Sequence, residues 1–372
     1  MRSAVRCLVA VLAVGCGNSP STAPTPGVVS IGGRAERGLT VSVGLDANGQ
    51  AVPGAAYTVT PQAAATFVPP DSLRLLQAGP LTVTGRGLAR GDSVRASLAV
   101  TVAVPPTIVF EAVVSGNRDI YSVALDGGAL TPLTTDAGDD RQPSASGGTV
   151  VFVSYRTGSA ELFSVPLAGG SQTRLTTNSS DESDPRLSPD GTHLALIFVG
   201  AYSRVMIASA SAAAPTRPIA ADAGFSGALE ASPAWSPAGD RVAYTTTRDG
   251  AAGIYIAALA GATGSATQLV SGAHGYASVE PAWSPDGLTI AFASNRDGPT
   301  ELYRVTLATG AAVRLTTRGN VGQPSWLADG RLLFTERVAG TFALRWLDPA
   351  DPARVHSIPT GAGSAQHPTA AR

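Results

Sequence analysis

One seven-residue unit returns at a nearly fixed interval along this chain, and it constrains the fold more than anything else in the sequence. The clearest copy is Pro281-Ala-Trp-Ser-Pro-Asp-Gly287. Earlier copies are Pro143-Ser-Ala-Ser-Gly-Gly148, Pro185-Arg-Leu-Ser-Pro-Asp-Gly191 and Pro233-Ala-Trp-Ser-Pro-Ala-Gly239. Later ones are Pro324-Ser-Trp-Leu-Ala-Asp-Gly330 and the short Pro368-Thr-Ala-Ala-Arg372. The six opening prolines are spaced by 42, 48, 48, 43 and 44 residues. A period of this length implies one supersecondary unit per repeat, each burying its apolar surface against the next.

The residues after each copy repeat as well. An apolar run ending in an aromatic comes first: Val150-Val-Phe152, Val242-Ala-Tyr244, Thr289-Ile-Ala-Phe292 and Leu332-Leu-Phe334. Ile108-Val-Phe110 is such a run with no copy before it. A polar turn follows, as in Arg248-Asp-Gly250 and Asn295-Arg-Asp-Gly298, and then a second aromatic run such as Ile254-Tyr-Ile256 or Glu301-Leu-Tyr303. Gly-rich turns lead into Pro132-Leu-Thr-Thr135, Arg174-Leu-Thr-Thr177 and Arg314-Leu-Thr-Thr317. Short apolar runs separated by Gly, Asp and Asn turns read as strands joined by hairpins. Four strands per period is a propeller blade. The fold class expected is all-β: a six-bladed β-propeller preceded by a small β-sandwich.

The first propeller run, Ile108–Phe110, has the place of a second strand, and the chain ends in the opening of the sixth unit, with no strands after it. We therefore expect Pro368–Ala371 to pair beside Ile108–Phe110 and close the ring, which removes a pair of exposed sheet edges. Trp235, Trp283 and Trp326 are expected to pack between blades, since Leu187 and Ala145 hold the same place elsewhere. The third repeat is degenerate: Leu194-Ala-Leu196 and Ser203-Arg-Val-Met-Ile207 replace its aromatic runs.

The Pro-x-Trp-Ser-Pro-Asp-Gly, Arg-Asp-Gly and Leu-Thr-Thr signatures resemble the TolB-type, WD40-like (PD40) β-propeller repeats of bacterial envelope proteins. The resemblance covers residues 107–372. It implies binding of partner lipoproteins or peptides at the channel mouth. The chain departs from TolB itself by carrying a different N-terminal region, so the particular partners of that family are not carried over.

Residues 1–16 read as an export signal. Arg2 and Arg6 precede a short apolar stretch, Leu8–Val14, well below the ~20 residues of a membrane span. Leu12-Ala-Val-Gly-Cys16 resembles a bacterial lipobox, with Ala13 where Leu is usual. That resemblance implies cleavage before Cys16 and its acylation; an ordinary signal peptide cut nearby is the alternative. Cys7 lies in the segment to be removed, so the mature chain keeps one thiol and no internal disulfide. Acylation caps a thiol that would otherwise be exposed to oxidation. Gly17 is not the aspartate associated with inner-membrane retention, so an outer-membrane location is expected. Residues 17–27 are a Pro/Ser/Thr tether. Residues 28–104 alternate apolar and polar positions over six or seven short runs, with a turn at Asn48-Gly49, and resemble a bacterial Ig-like domain without its cysteines. Pro105-Pro106 is a stiff joint.

The composition excludes several activities. All 26 basic residues are Arg, which rules out Schiff-base chemistry and a P-loop lysine. Genomic base composition is the simplest reading of that choice. A net charge of −1 gives no field for nucleic acid. No Gly-x-Ser-x-Gly elbow occurs; Gly224-Phe-Ser-Gly227 has the wrong spacing. Related propellers cap serine peptidases, and the chain is not expected to carry such a hydrolase domain. The four histidines, His193, His274, His356 and His367, have no zinc-ligand spacing. Arg90-Gly-Asp-Ser93 is read as chance and a Gly-Asp turn rather than an adhesion signal, and the Asn178-Ser-Ser180 sequon carries little weight in a bacterial context.

One constellation could bind. The residue before each proline should open the innermost strand at the channel mouth. Around the ring these are Gln142, Asp184, Ser232, Glu280, Gln323 and His367. Asp184, Glu280 and His367 would sit a third of a turn apart and could hold a divalent metal or a cationic group of a partner. A solvated polar rim accounts for the same residues, and the ~2 Å reach of a metal ligand is short for such a span. Asp139-Asp140 and Asp181-Glu-Ser-Asp184 are expected as acidic loops on that rim. The expectation is a non-catalytic, monomeric envelope lipoprotein, without cofactor, held to the membrane by lipid alone, that binds an envelope protein or peptide. The alternative is a glycan-binding or lyase-like propeller with a metal at the mouth, against which a single mouth histidine counts.

Overall fold

The computed structural model describes residues 27–32, 40–47, 50–51, 55–60, 65–68, 72–75, 79–89 and 92–102. From 104 to 371 it is continuous except at 115, 179, 212–214, 220–226, 260–265 and 273–274. The export signal, Cys16, His274, Arg90, Gly91 and the Asn48-Gly49 turn lie outside the described residues. The chain divides into two compact units, Met1–Pro105 and Pro106–Arg372.

The first unit has two antiparallel sheets. One runs in the order Gly27–Gly32, Thr40–Ala47, Ser72–Leu75, Ala65–Val68, with Gln50–Ala51 folded back on Thr40–Ala47. The other runs Ala56–Thr60, Gly79–Ala89, Asp92–Val102. Val59, Ala65 and Val83 are buried.

The second unit is a ring of six four-stranded antiparallel sheets. Blade two runs Asp140–Ser146, Thr149–Ser154, Glu161–Pro166, Thr173–Arg174 from the axis outward. The inner strands of blades three to six are Asp181–Leu187, Glu230–Trp235, Ser278–Trp283 and Val321–Trp326. In blade one the inner strand is the last of the chain, Ala365–Ala370, paired to Thr107–Val113 with Ala365 opposite Ala112 and Ala370 opposite Ile108. Each inner strand touches the next around the full circle, so the ring is closed.

The repeat signatures have visible causes. The aromatic runs place one ring directly opposite another on neighbouring strands: Phe110 with Tyr121, Phe152 with Phe163, Tyr244 with Tyr255, Phe292 with Tyr303. Their centroids lie 5.7–6.4 Å apart, a spacing that adds roughly 0.5–1.5 kcal/mol beyond burial. The turn arginine covers such pairs, Arg156 over Phe163 at 4.5 Å and Arg296 over Tyr303 at 5.0 Å. The first threonine of Leu-Thr-Thr accepts a backbone N–H from the third strand: Thr134 from Ile120, Thr176 from Leu162, Thr316 from Leu302. The tryptophans pack at the seams between blades. The indole N–H of Trp235 donates to Arg186 O at 2.9 Å and that of Trp326 to Ala282 O at 3.0 Å, each on the preceding blade.

Two local expectations are corrected. Asp140 and Asp181–Asp184 belong to inner strands rather than to loops. Asp140 is fully buried and bound by Arg156 at 2.9 Å, because a carboxylate at a strand start can reach the guanidinium of the adjacent turn. The pre-proline residues do not open their strands either; Gln142, for example, is the third residue of Asp140–Ser146.

Candidate functional site

All six inner strands carry a β-bulge at the same place. Register with the second strand slips between Arg141 and Ser144, Ser183 and Arg186, Ala231 and Ala234, Val279 and Ala282, Gly322 and Ser325, Gln366 and Thr369. Proline has no N–H for the ladder, so the chain bulges where it stands. The residue before it takes the left-handed conformation: φ is 52° at Gln142, 50° at Asp184, 51° at Ser232, 56° at Glu280, 53° at Gln323 and 49° at His367. Each such residue without glycine's freedom costs about 1–2 kcal/mol. All six line one central cavity of about 440 Å³.

The bulge takes the backbone N–H of these residues out of the ladder, and in five blades a side chain accepts it. Gln142 Oε1 accepts from Asp184 N at 2.9 Å, Glu280 Oε2 from Gln323 N at 2.7 Å, and Gln323 Oε1 from His367 N at 2.9 Å. In each case the mouth side chain of one blade satisfies the backbone of the next. Where that side chain is unsuitable, the second strand of the same blade substitutes. Ser232 is too short, and Thr245 Oγ1 accepts from Glu280 N at 3.2 Å. His367 is turned elsewhere, and Glu111 Oε2 accepts from Gln142 N at 2.6 Å.

His367 is engaged on both nitrogens. Nδ1 lies 3.1 Å from Glu111 Oε2, and Nε2 lies 2.9 Å from the Gln323 amide nitrogen. An amide NH₂ only donates, so Nε2 accepts, while the contact of Nδ1 with Glu111 lacks hydrogen-bond geometry. Burial raises the Glu111 pKa, but the His367 ring, the Gln142 N–H and Arg118 together outweigh it and hold the carboxyl below its ordinary value. Asp184 pairs with Arg186 at 2.7 Å. Glu280 is the exception. Loss of bulk water pushes its pKa up, and the Gln323 N–H only partly opposes this.

The six residues are thus brought together around one cavity, and most are tied to one another. Among the described residues no three His, Cys, Asp or Glu side chains are grouped to hold a metal ion. Glu111, Thr245 and Thr335, which donates to Gln323 Oε1 at 3.2 Å, were not expected at the mouth. Each directly follows the aromatic of its second-strand run, a polar residue in an apolar stretch, and that was the available signal.

A closed ring of six four-stranded blades around a polar channel makes this unit a six-bladed β-propeller. Residues 215–369 match the family model described as the TolB beta propeller domain. No curated protein matches the chain. Among solved structures, TolB from Acinetobacter baumannii superposes with a TM-score of 0.64 at 15% identity, covering 85% of this chain and 82% of that one. A putative TolB from Agrobacterium tumefaciens gives 0.54 at 20% identity, covering 68% and 88%. A chain of a nidogen/laminin complex gives 0.55 at 12% identity, covering 72% and 98%. At these identities the likeness is one of fold.

Proposed function

We propose that this protein is a non-catalytic cell-envelope lipoprotein whose propeller holds a protein partner at the channel mouth. One observation carries the reading. Val113, Val114, Tyr155, Val199, Tyr202, Leu229 and Val338 are exposed. All lie at turns between second and third strands, or just before an inner strand, and so at the same end of the propeller. They form a crescent over blades six, one, two and three, reaching the edge of four, around an entrance lined with polar groups. Exposed apolar side chains rimming a polar pocket suit a protein surface. The single mouth imidazole is occupied by Glu111 and Gln323, which leaves it poorly placed as a general base. In this reading acylated Cys16 tethers the chain, 28–104 is an Ig-like spacer and the outer membrane is the site.

Photo-crosslinking in intact cells tests it. A crosslinker at Tyr155, on the crescent, should capture a partner protein. One at Leu288, 62% exposed in the strand-one-to-two turn at the opposite end, should not. Capture at Leu288 alone, or turnover of a polysaccharide by the full chain, would contradict the proposal.

A further inference from the structure

The ring of mouth side chains has one break. Five positions carry long or ring side chains, and blade four carries Ser232. The Ser232 hydroxyl makes no hydrogen bond with any described residue, and the Glu280 N–H that its place would serve is taken by Thr245. The neighbouring Ser183 and Ala231 are small too. The cavity accordingly reaches sideways at blades three and four, as far as Ile197 on the second strand of blade three and Ser203 on its third. The repeat that is degenerate in sequence is thus the one that opens beside the channel.

The carboxylates bordering this notch differ in how they are partnered. Asp184, Glu230 and Glu280 all border the cavity, and Arg186 is the one arginine that does so among the described residues. Arg186 is already bound to Asp184. Glu230 Oε2 accepts the Val205 N–H at 2.8 Å. Glu280 Oε2 has the Gln323 N–H, whereas its Oε1 makes no hydrogen bond with any described residue. Glu280 borders the cavity, and its partial burial together with the charge of Asp184 disfavours its ionised form more than the Gln323 N–H and the charge of Arg186 favour it. The backbone Cα of Gly322 stands where an added Cβ would come within 2.9 Å of Glu280 Oε2, which fixes the carboxyl from behind.

We propose that the channel is a receptor for one cationic side chain, an arginine or lysine of the partner, which enters the notch over Ser232 and pairs with Glu280. This rests on the reading of the mouth as a protein-binding site and adds the chemistry it selects. An arginine fits best, since its guanidinium can donate to Glu280 Oε1 while its aliphatic stem lies against Ile197. The apolar crescent outside would hold the backbone that carries it.

Titration of the full chain with the peptide acetyl-Gly-Arg-Gly-amide, followed by saturation-transfer NMR, tests the assignment. The arginine probe should bind at least about tenfold more tightly than its citrulline counterpart, which keeps the shape and loses the charge. Glu280→Gln retains an acceptor for the Gln323 N–H and should erase that preference. Ser232→Arg should fill the notch from within and block the probe; it decides the matter if the Glu280 variant melts early. Equal binding of the citrulline peptide, no binding of the arginine probe, or preference unchanged in both variants would overturn the proposal. So would displacement of the probe by micromolar calcium chloride, which would assign the site to a metal. If the probe fails while the Tyr155 crosslink still captures a partner, the cation assignment falls and the protein-binding reading stands.

Discussion

At the scale of single residues, the mouth positions divide by what their side chains do rather than by backbone conformation. Ser232 and Gln323 share a φ near 50° before proline. Ser232→Gly relieves the left-handed cost without losing a contact and should leave stability unchanged or raise it by up to ~1 kcal/mol. Gln323→Gly relieves the same cost but strips the acceptors used by His367 N and Thr335 Oγ1. It should destabilise by about 1–3 kcal/mol; denaturant melts of the pair separate the two effects. Asp119 gives a pH dependence. It is buried, and loss of water followed by the charges of Asp140, Asp136 and Asp139 pushes its pKa up to about 6. The folded state then binds a proton that the unfolded state has released, so this group's contribution to stability falls as pH rises from about 4 to about 6. Asp119→Asn should flatten that part of the melting-temperature profile and raise the value at pH 7. The six mouth residues were legible because proline marks their place in every repeat. Glu111, Thr245 and Thr335 were not, because their role depends on pairing across a bulge. Periodicity locates the strands but not that one-residue slip.

At the scale of elements, the all-arginine composition acquires structural uses whatever its origin. Arg156 in the turn of blade two contacts Asp136 at 2.8 Å and Asp140 at 2.9 Å and lies over Phe163 at 4.5 Å. A lysine offers a point charge in place of a planar fork and stacks poorly. Arg156→Lys should therefore cost roughly 1–3 kcal/mol, since it leaves Asp140 buried with weaker compensation. The same substitution at Arg241, beside the exposed Asp240 with which it makes a 3.6 Å pair, removes only that weaker contact and its stacking on Trp283. It should cost less, and thermal melts of both variants provide the comparison. Blade three could be called a blade from spacing alone, although Leu196 and Met206 stand where other blades pair aromatics. Its sideways opening could not, because a cavity follows from the volumes of residues that meet only in the fold. The strands of the first unit follow the alternation seen in sequence, Thr40–Ala47 being the clearest case.

For the whole molecule, the ring depends on its ends meeting. The final strand supplies buried Ala365 and Ala370, places His367 between Gln323 and Glu111, and gives Thr107–Val113 its inner neighbour. Without it blade one keeps three strands, an open edge and an incomplete mouth. The measurement that bears most directly on this is calorimetric melting of the full chain against a chain lacking residues 366–372. Loss of a closing strand should lower the propeller's melting temperature by about 10 °C or more, at roughly 2–4 °C per kcal/mol for a domain of this size. An unchanged transition would contradict the closed ring and, with it, the mouth built on that closure.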